Sequence, residues 1–166
     1  MRLEQICEKL EALLSARQEA AEKVEASVDA LCSIFGVQRH EVALFALDTR
    51  MDSFSFVWPT EMRKSGSIPL SADRSLLVIT ARERQGKVNN SFASTPHLFV
   101  FESFGKEKTG PIQRIMSAPM LKGEELVGVL QVCRKGMDAD AGLKNFSETE
   151  LKALCGIANV IARHLF

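Results

Sequence analysis

The sequence predicts an α+β fold built on a mostly antiparallel sheet. Three observations predict it. Both ends of the chain carry amphipathic helical patterns. A long β-hairpin stands near the C-terminal side. The elements run helix, two strands, helix, strands, helix, without strict β–α alternation.

Residues 3–35 read as one long helix. Leu3, Cys7, Leu10, Leu14, Arg17, Ala21, Val24, Val28, Leu31 and Phe35 recur at alternating steps of four and three, a heptad-like seam. No Pro or Gly interrupts it before Gly36, which suits the position just past a helix end. At 1.5 Å per residue this helix would be about 50 Å long, too long to lie wholly on a domain of this size. Val24 to Phe35 are expected to pack on the domain and Leu3 to Leu14 on a partner helix, with Arg17 weakening the seam and fixing its register. Residues 1–23 therefore read as a coiled-coil-like helical extension and 24–166 as the domain. The alternative is one amphipathic helix lying on its own domain.

Segments 41–48 (EVALFALD) and 54–58 (FSFVW) read as strands joined by a turn over Asp48–Ser53. GSIPL at 66–70 is an extended lead-in, and Ser71 caps an expected helix over 72–85 that Gly86 stops. KVNNSFAS at 87–94 reads as a short strand and loop. Thr95-Pro96 resembles an N-cap followed by proline at the first helical position, yet HLFVFESF after it has strand propensity. Residues 105–110 form a polar loop. QRIMSAPML (113–121) and ELVGVLQVCR (125–134) flank Lys122-Gly123-Glu124 as a hairpin, with Pro119 expected at an edge or bulge. After a loop over 135–146, Ser147 and Glu150 form a capping box for the last helix, whose stripe is Leu151, Leu154, Cys155, Ala158, Ile161, Ala162 and Leu165.

The chain has 166 residues, with 21 Lys plus Arg balanced by 21 Asp plus Glu. That length supports one domain with a real core, and the absence of net positive charge argues against general nucleic-acid binding. Charges interrupt the N-terminus throughout, so it carries no signal-peptide core. No run of about 18 apolar residues is present to span a membrane. Cys7, Cys32, Cys133 and Cys155 form no C-x-x-C pair and have no His at metal-ligand spacing. Reduced thiols in the cytoplasm are the simplest expectation.

The hairpin carries a family resemblance. Ile115-Met116-Ser117-Ala118-Pro119-Met120, then Gly123, then Leu126-Val127-Gly128-Val129-Leu130-Gln131-Val132 resemble the corresponding strands of GAF domains, with Phe146 and the closing helix following as they do in that family. GSIPL with its helix and Val88-Asn89-Asn90 resemble the family's middle, so the resemblance covers about residues 24–166. It implies a central antiparallel sheet with N- and C-terminal helices on one face and loops and short helices on the other, enclosing a small-molecule pocket. Family members bind cyclic nucleotides, tetrapyrroles, haem or small metabolites, and many serve as dimer modules with no known ligand.

The residues themselves narrow the chemistry. Cyclic-nucleotide members carry Asn-Lys, Phe and Asp-Glu at set spacing. Here Arg134-Lys135, Phe146 and Glu150-Leu151 stand there, so the Lys and Phe are kept and the Asn and Asp are lost. Glu150 is equally explained as the capping-box residue. The four cysteines read as small buried hydrophobes rather than as bilin attachment sites. His97 alone among the histidines lies in the pocket-forming middle, and a lone His is an ordinary hydrogen-bonded residue before it is a haem ligand. His40 and His164 lie near helix ends. A methionine-sulfoxide-reductase-like enzyme would need paired cysteines that the spacing does not offer. GKEKTG at 105–110 lacks P-loop spacing, and Asp138-Ala-Asp140-Ala-Gly142 fails as a calcium loop at Leu143 and Thr149.

The candidate pocket residues are Phe56, Trp58, Phe92, His97, Phe99 and Met116, with Arg114 as a bidentate anchor for an anionic group. Their alternative role is to fill the core. The sequence thus points to a non-catalytic sensory or regulatory domain in the cytoplasm. It would dimerise through its terminal helices and act on a separate output protein, with a small-molecule ligand but no identifiable cofactor or metal. A pure dimerisation module is the alternative, and the redox enzyme a third reading.

Overall fold

The computed structural model describes residues 2–97, 110–138 and 142–166. Its helices are α1 (Leu3–Ser15), α2 (Ala20–Phe35), α3 (Leu76–Glu83) and α4 (Glu148–Leu165). Its strands are β1 (Val42–Asp48), β2 (Ser53–Trp58), β3 (Ile68–Pro69), β4 (Lys87–Asn89), β5 (Ile112–Lys122) and β6 (Glu125–Lys135). The six strands form one antiparallel sheet in the order β3-β2-β1-β6-β5-β4. The α+β expectation therefore holds. Among the described residues no helix is long and apolar enough to cross a membrane.

The central strands are apolar on both faces, because both faces are covered. Val42 and Leu44 of β1, Leu130 and Val132 of β6 and Met116, Ala118 and Met120 of β5 pack under α1, α2 and α4. The alternate residues Ala43, Phe45, Val129, Cys133 and Ile115 pack with Leu77, Val78 and Ala81 of α3. This period of two sorts each strand into two cores.

The single long N-terminal helix is not found. The chain leaves α1 at Ser15 and re-enters helix at Ala20, and the start of α1 lies beside the end of α2 as in an antiparallel helical hairpin. Arg17, expected on the seam, instead turns its guanidinium back onto the Leu13 carbonyl at 2.6 Å, satisfying one of the bare carbonyls of the α1 end. Doubling back lets both halves of the seam reach one sheet. Leu10 and Leu14, expected to need a partner helix, are 3% and 0% exposed in the same core as Val28 and Leu31.

Other elements follow the sequence closely. Gly36 ends α2 in the left-handed conformation at φ 64°. Gly123 takes φ 65° in the two-residue turn of the β5–β6 hairpin. Pro119 lies beyond the reach of β4, which pairs only with Ile115–Ser117, so that side of β5 is locally an edge there. The Ser147–Glu150 capping box is present in both directions, at 3.1 and 2.8 Å. The helix expected from Ser71 starts later, behind Ser75, because residues 69–75 are spent on tight turns. Arg84, not Gly86, takes the left-handed residue at its end. Gly86 is required for another reason: a Cβ there would sit 2.6 Å from the Cys155 sulfur.

Candidate functional site

The described members of the expected pocket set do not share one pocket, and for Trp58 a β-bulge is the reason. Leu44 pairs with Trp58 but Phe45 pairs with Phe56, so β2 has one extra residue, Val57, between them. The insertion turns Trp58 to the opposite face from Phe56, although their i, i+2 spacing alone would place them together. Phe56 packs on the α3 side with its ring 4.6 Å from that of Phe45. Trp58 lies in the helical core, where its indole N–H donates to the Arg39 carbonyl at 3.1 Å and the Arg39 guanidinium sits 4.7 Å from the ring centroid. Arg39 is held in turn by Glu25 and Asp29 of α2.

Met116 is wholly buried in the helical core. Phe92 belongs to the α3-side core and stacks on His97 at 3.9 Å. Phe99 lies outside the described residues. The α3-side core is thus filled by Phe45, Phe54, Phe56 and Phe92. Beneath α3, Gln131 donates to the Ser117 hydroxyl at 3.1 Å, and Ser117 and Thr80 share a 2.7 Å hydrogen bond. Thr80 also reaches the Leu76 carbonyl at 2.7 Å, so Ser117 is the donor to Thr80.

Arg114 lies apart from the aromatics, at the start of β5. Together with Asn90, Ser91, Ser94, Gln113 and Asn145 it lines a polar cleft of 280 Å³. Its Nη1 donates to the Asn90 carbonyl at 3.0 Å. The Asn90 side chain clamps the backbone of Phe146 in both directions: its amide donates to the Phe146 carbonyl at 3.0 Å and its oxygen accepts the Phe146 N–H at 2.8 Å. Phe146 directly precedes the N-cap of α4. Asn145, Ser91 and Ser94 were not legible as site residues, since nothing in their spacing marks them. Asn90 stood out only within Val88-Asn89-Asn90, which resembles the middle of GAF domains.

A second concavity lies outside the sheet. Ile6, Leu10 and Leu13 of α1 with Ala30 and Ile34 of α2 form an apolar groove of 310 Å³, rimmed by Lys9 and Ser33. On the far side of α1, Glu11 accepts from Arg163 at 2.8 Å and meets His164 at 2.7 Å, fastening α1 to the end of α4. Arg163 first and His164 second hold the Glu11 carboxyl below its ordinary pKa. Gly156 of α4 leaves room for Leu3, whose methyl would be 3.1 Å from an added Cβ.

The cysteines lie on four different elements: α1, α2, β6 and α4. Burial pushes up the pKa of Cys7, Cys32 and Cys155.

A six-stranded antiparallel sheet with three helices on one face and a short helix on the other is a known arrangement. The GAF domain of a phosphoenolpyruvate-protein phosphotransferase from Acinetobacter matches it with a TM-score of 0.74, covering 98% of this chain and 92% of that chain at 12% identity. The chain has the GAF fold. The corresponding GAF domain from Coxiella burnetii matches with the same TM-score, coverage and identity. The free methionine-R-sulfoxide reductase from Neisseria meningitidis, solved in complex with its substrate, matches at 0.70 with 17% identity, covering 98% of this chain and 87% of that one. No protein-family model and no curated protein sequence matches the chain. The GAF likeness therefore lives in the backbone, and the function of this chain rests on its own side chains.

Proposed function

We propose that this chain is a sensory-type regulatory GAF domain without catalysis of its own. It dimerises through its helical layer and passes the presence of a small molecule to a separate output protein in the cytoplasm. The observation that carries this reading is the apolar groove between α1 and α2. Leu14 and Leu31 are consumed by the core beneath, yet Ile6, Leu13, Ala30 and Ile34 still form an apolar surface above it. A second copy related by a two-fold axis would cover both grooves at once. The Glu11–Arg163–His164 contacts tie α4 to the same layer, so a shift in α4 would move the interface.

The cysteines support the non-catalytic part. Redox catalysis needs an accessible thiolate, whereas burial drives three of these thiols the other way and Cys133 is fully buried. The phenylalanine-filled α3 side favours the second reading, a dimerisation module whose interior is occupied by its own side chains.

Native mass spectrometry of protein purified from cells, compared with its denatured mass, tests the proposal. A dimer with extra mass per subunit is the expected result. A dimer at bare mass favours the scaffold reading. A monomer overturns the dimer argument. Leu13→Glu with Ile34→Glu should give a folded monomer.

A further inference from the structure

We infer that charge fixes how a second copy lies on the α1–α2 face, with α1 of each copy on α2 of the other. This rests on the dimer reading above and names the residues that select the arrangement. Charge is segregated across the helical hairpin. Arg2, Ile6, Lys9 and Leu13 follow one another at steps of four and three, so they form one stripe along α1 from its N-cap. Ile6, Lys9 and Leu13 line the apolar groove. On α2, Glu22, Ala26, Asp29 and Ser33 form a stripe of the same spacing. Ser33 lines the groove, while Glu22, Ala26 and Asp29 line the neighbouring cleft along α2. The acidic residues of α1 do not blur this division. Glu4 and Glu8 recur with Glu11, which meets α4 on the far side. Arg2, Lys9 and Glu22 are exposed and enter no ion pair among the described residues. Asp29 meets Arg39, yet its side chain is 64% exposed.

A face with one basic wall and one acidic wall is complementary to itself. A foreign helix of either charge would be repelled by one of the walls. A second copy can close on the face in two ways. A two-fold axis across the helices lays α1 on α1 and α2 on α2, so each stripe meets its own charge. An axis along the helices lays α1 on α2 and sets the basic stripe on the acidic one twice. Only the second arrangement turns the segregation into attraction. An axis along the helices also preserves position along them. Lys9, Ala30 and Ser33 border the same groove, so Lys9 of one copy comes over the Asp29–Ser33 stretch of the other. Ile6, Leu13, Ala30 and Ile34 supply the apolar contact, and the flanking charges choose the orientation.

Sedimentation equilibrium of the full chain at low salt tests the arrangement, with circular dichroism to confirm that each variant is folded. Lys9→Glu should weaken the dimer about tenfold, because the two-fold counts the substitution twice. Adding Asp29→Lys to the same chain should restore the affinity to within about threefold of the parent. If like helices faced each other, the parent, the single variant and the double variant would dimerise equally, and that result overturns the inference. A second measurement needs no variant. Raising NaCl from about 50 to about 500 mM should weaken the parent dimer by screening the opposed stripes. A dimer that tightens or does not respond overturns the inference and leaves the dimer reading standing. A parent that stays monomeric at every concentration overturns the dimer reading itself.

Discussion

The guanidinium of Arg134 lies 3.8 Å from the centroid of the Phe146 ring. Arg134 is on β6 and Phe146 precedes α4, so this contact fastens the closing helix to the sheet. The same side chain donates to the Phe35 carbonyl at 3.1 Å and the Lys144 carbonyl at 3.0 Å, and pairs with Glu150 at 3.5 Å. Glu150 therefore does two things, capping α4 and meeting Arg134. Lys135 is buried and turned away, its ammonium donating to the His40 carbonyl and its backbone N–H to Glu41. The positions that resemble the cyclic-nucleotide motif form a structural latch in this chain.

Arg134→Ala should lower the unfolding free energy by about 2–3 kcal/mol. It removes a cation–π contact and leaves two carbonyls without their donor. Arg134→Lys should recover less than half of that, because an ammonium cannot reach two carbonyls in a fixed fork. Urea denaturation of the three proteins checks both statements. An alanine variant within about 0.5 kcal/mol of the parent would show that the latch is ornamental.

Leu14→Ala should destabilise by about 2–5 kcal/mol, the range for a wholly buried leucine. Leu10→Glu with Leu14→Glu, which would merely separate a coiled-coil dimer if these residues faced a partner, should instead unfold the chain. Circular dichroism during heating distinguishes the two. A folded, monomeric double variant would restore the partner-helix view of α1.

The elements were largely legible because their signals are local. Gly36, Gly123 and the Ser147–Glu150 box each mark a boundary through chemistry within four residues. The break at 16–19 was not legible, since it contains no Pro or Gly and the heptad spacing runs straight across it. What ends α1 is the tertiary gain of bringing Leu10, Leu14, Val28 and Leu31 onto one sheet, which no window of sequence reports. The separation of Trp58 from Phe56 was not legible, because one extra residue, Val57, reverses the face of Trp58. Bulges carry no sequence signature strong enough to correct a period-two argument. Arg114 stood out in the sequence, but Asn90 and Asn145, which line the same cleft, are 55 positions apart and meet only through the fold.

Gly128→Ala should be among the most damaging single substitutions. An added Cβ would stand 2.1 Å from the Phe45 carbonyl oxygen and 2.6 Å from the Met120 methyl. Gly128 faces Ala46 on β1 and Met120 on β5, so neither neighbouring strand can yield without breaking the ladder. A loss of about 3 kcal/mol or more, or failure to fold, is expected. Soluble expression and a thermal melt within a few degrees of the parent would contradict it.

Acid should weaken the fold through His40. Burial, and secondarily the Lys135 ammonium, hold its pKa below the ordinary histidine value, while Glu41 acts weakly in the other direction. Its Nδ1 is buried without a hydrogen-bond partner among the described residues, which favours the neutral ring. In the unfolded chain the imidazole takes up a proton near pH 6.5, whereas the native ring resists it to lower pH. Below about pH 6.5 the unfolded state therefore binds more protons than the native state, and stability falls as pH falls until the native ring also titrates. His40→Gln removes this contribution, so between pH 7.5 and 5.5 the variant should lose less stability than the parent in urea titrations. His97 and His164 remain in both proteins and cancel in the comparison. Equal losses over that interval would mean that His40 titrates alike in the folded and unfolded chains.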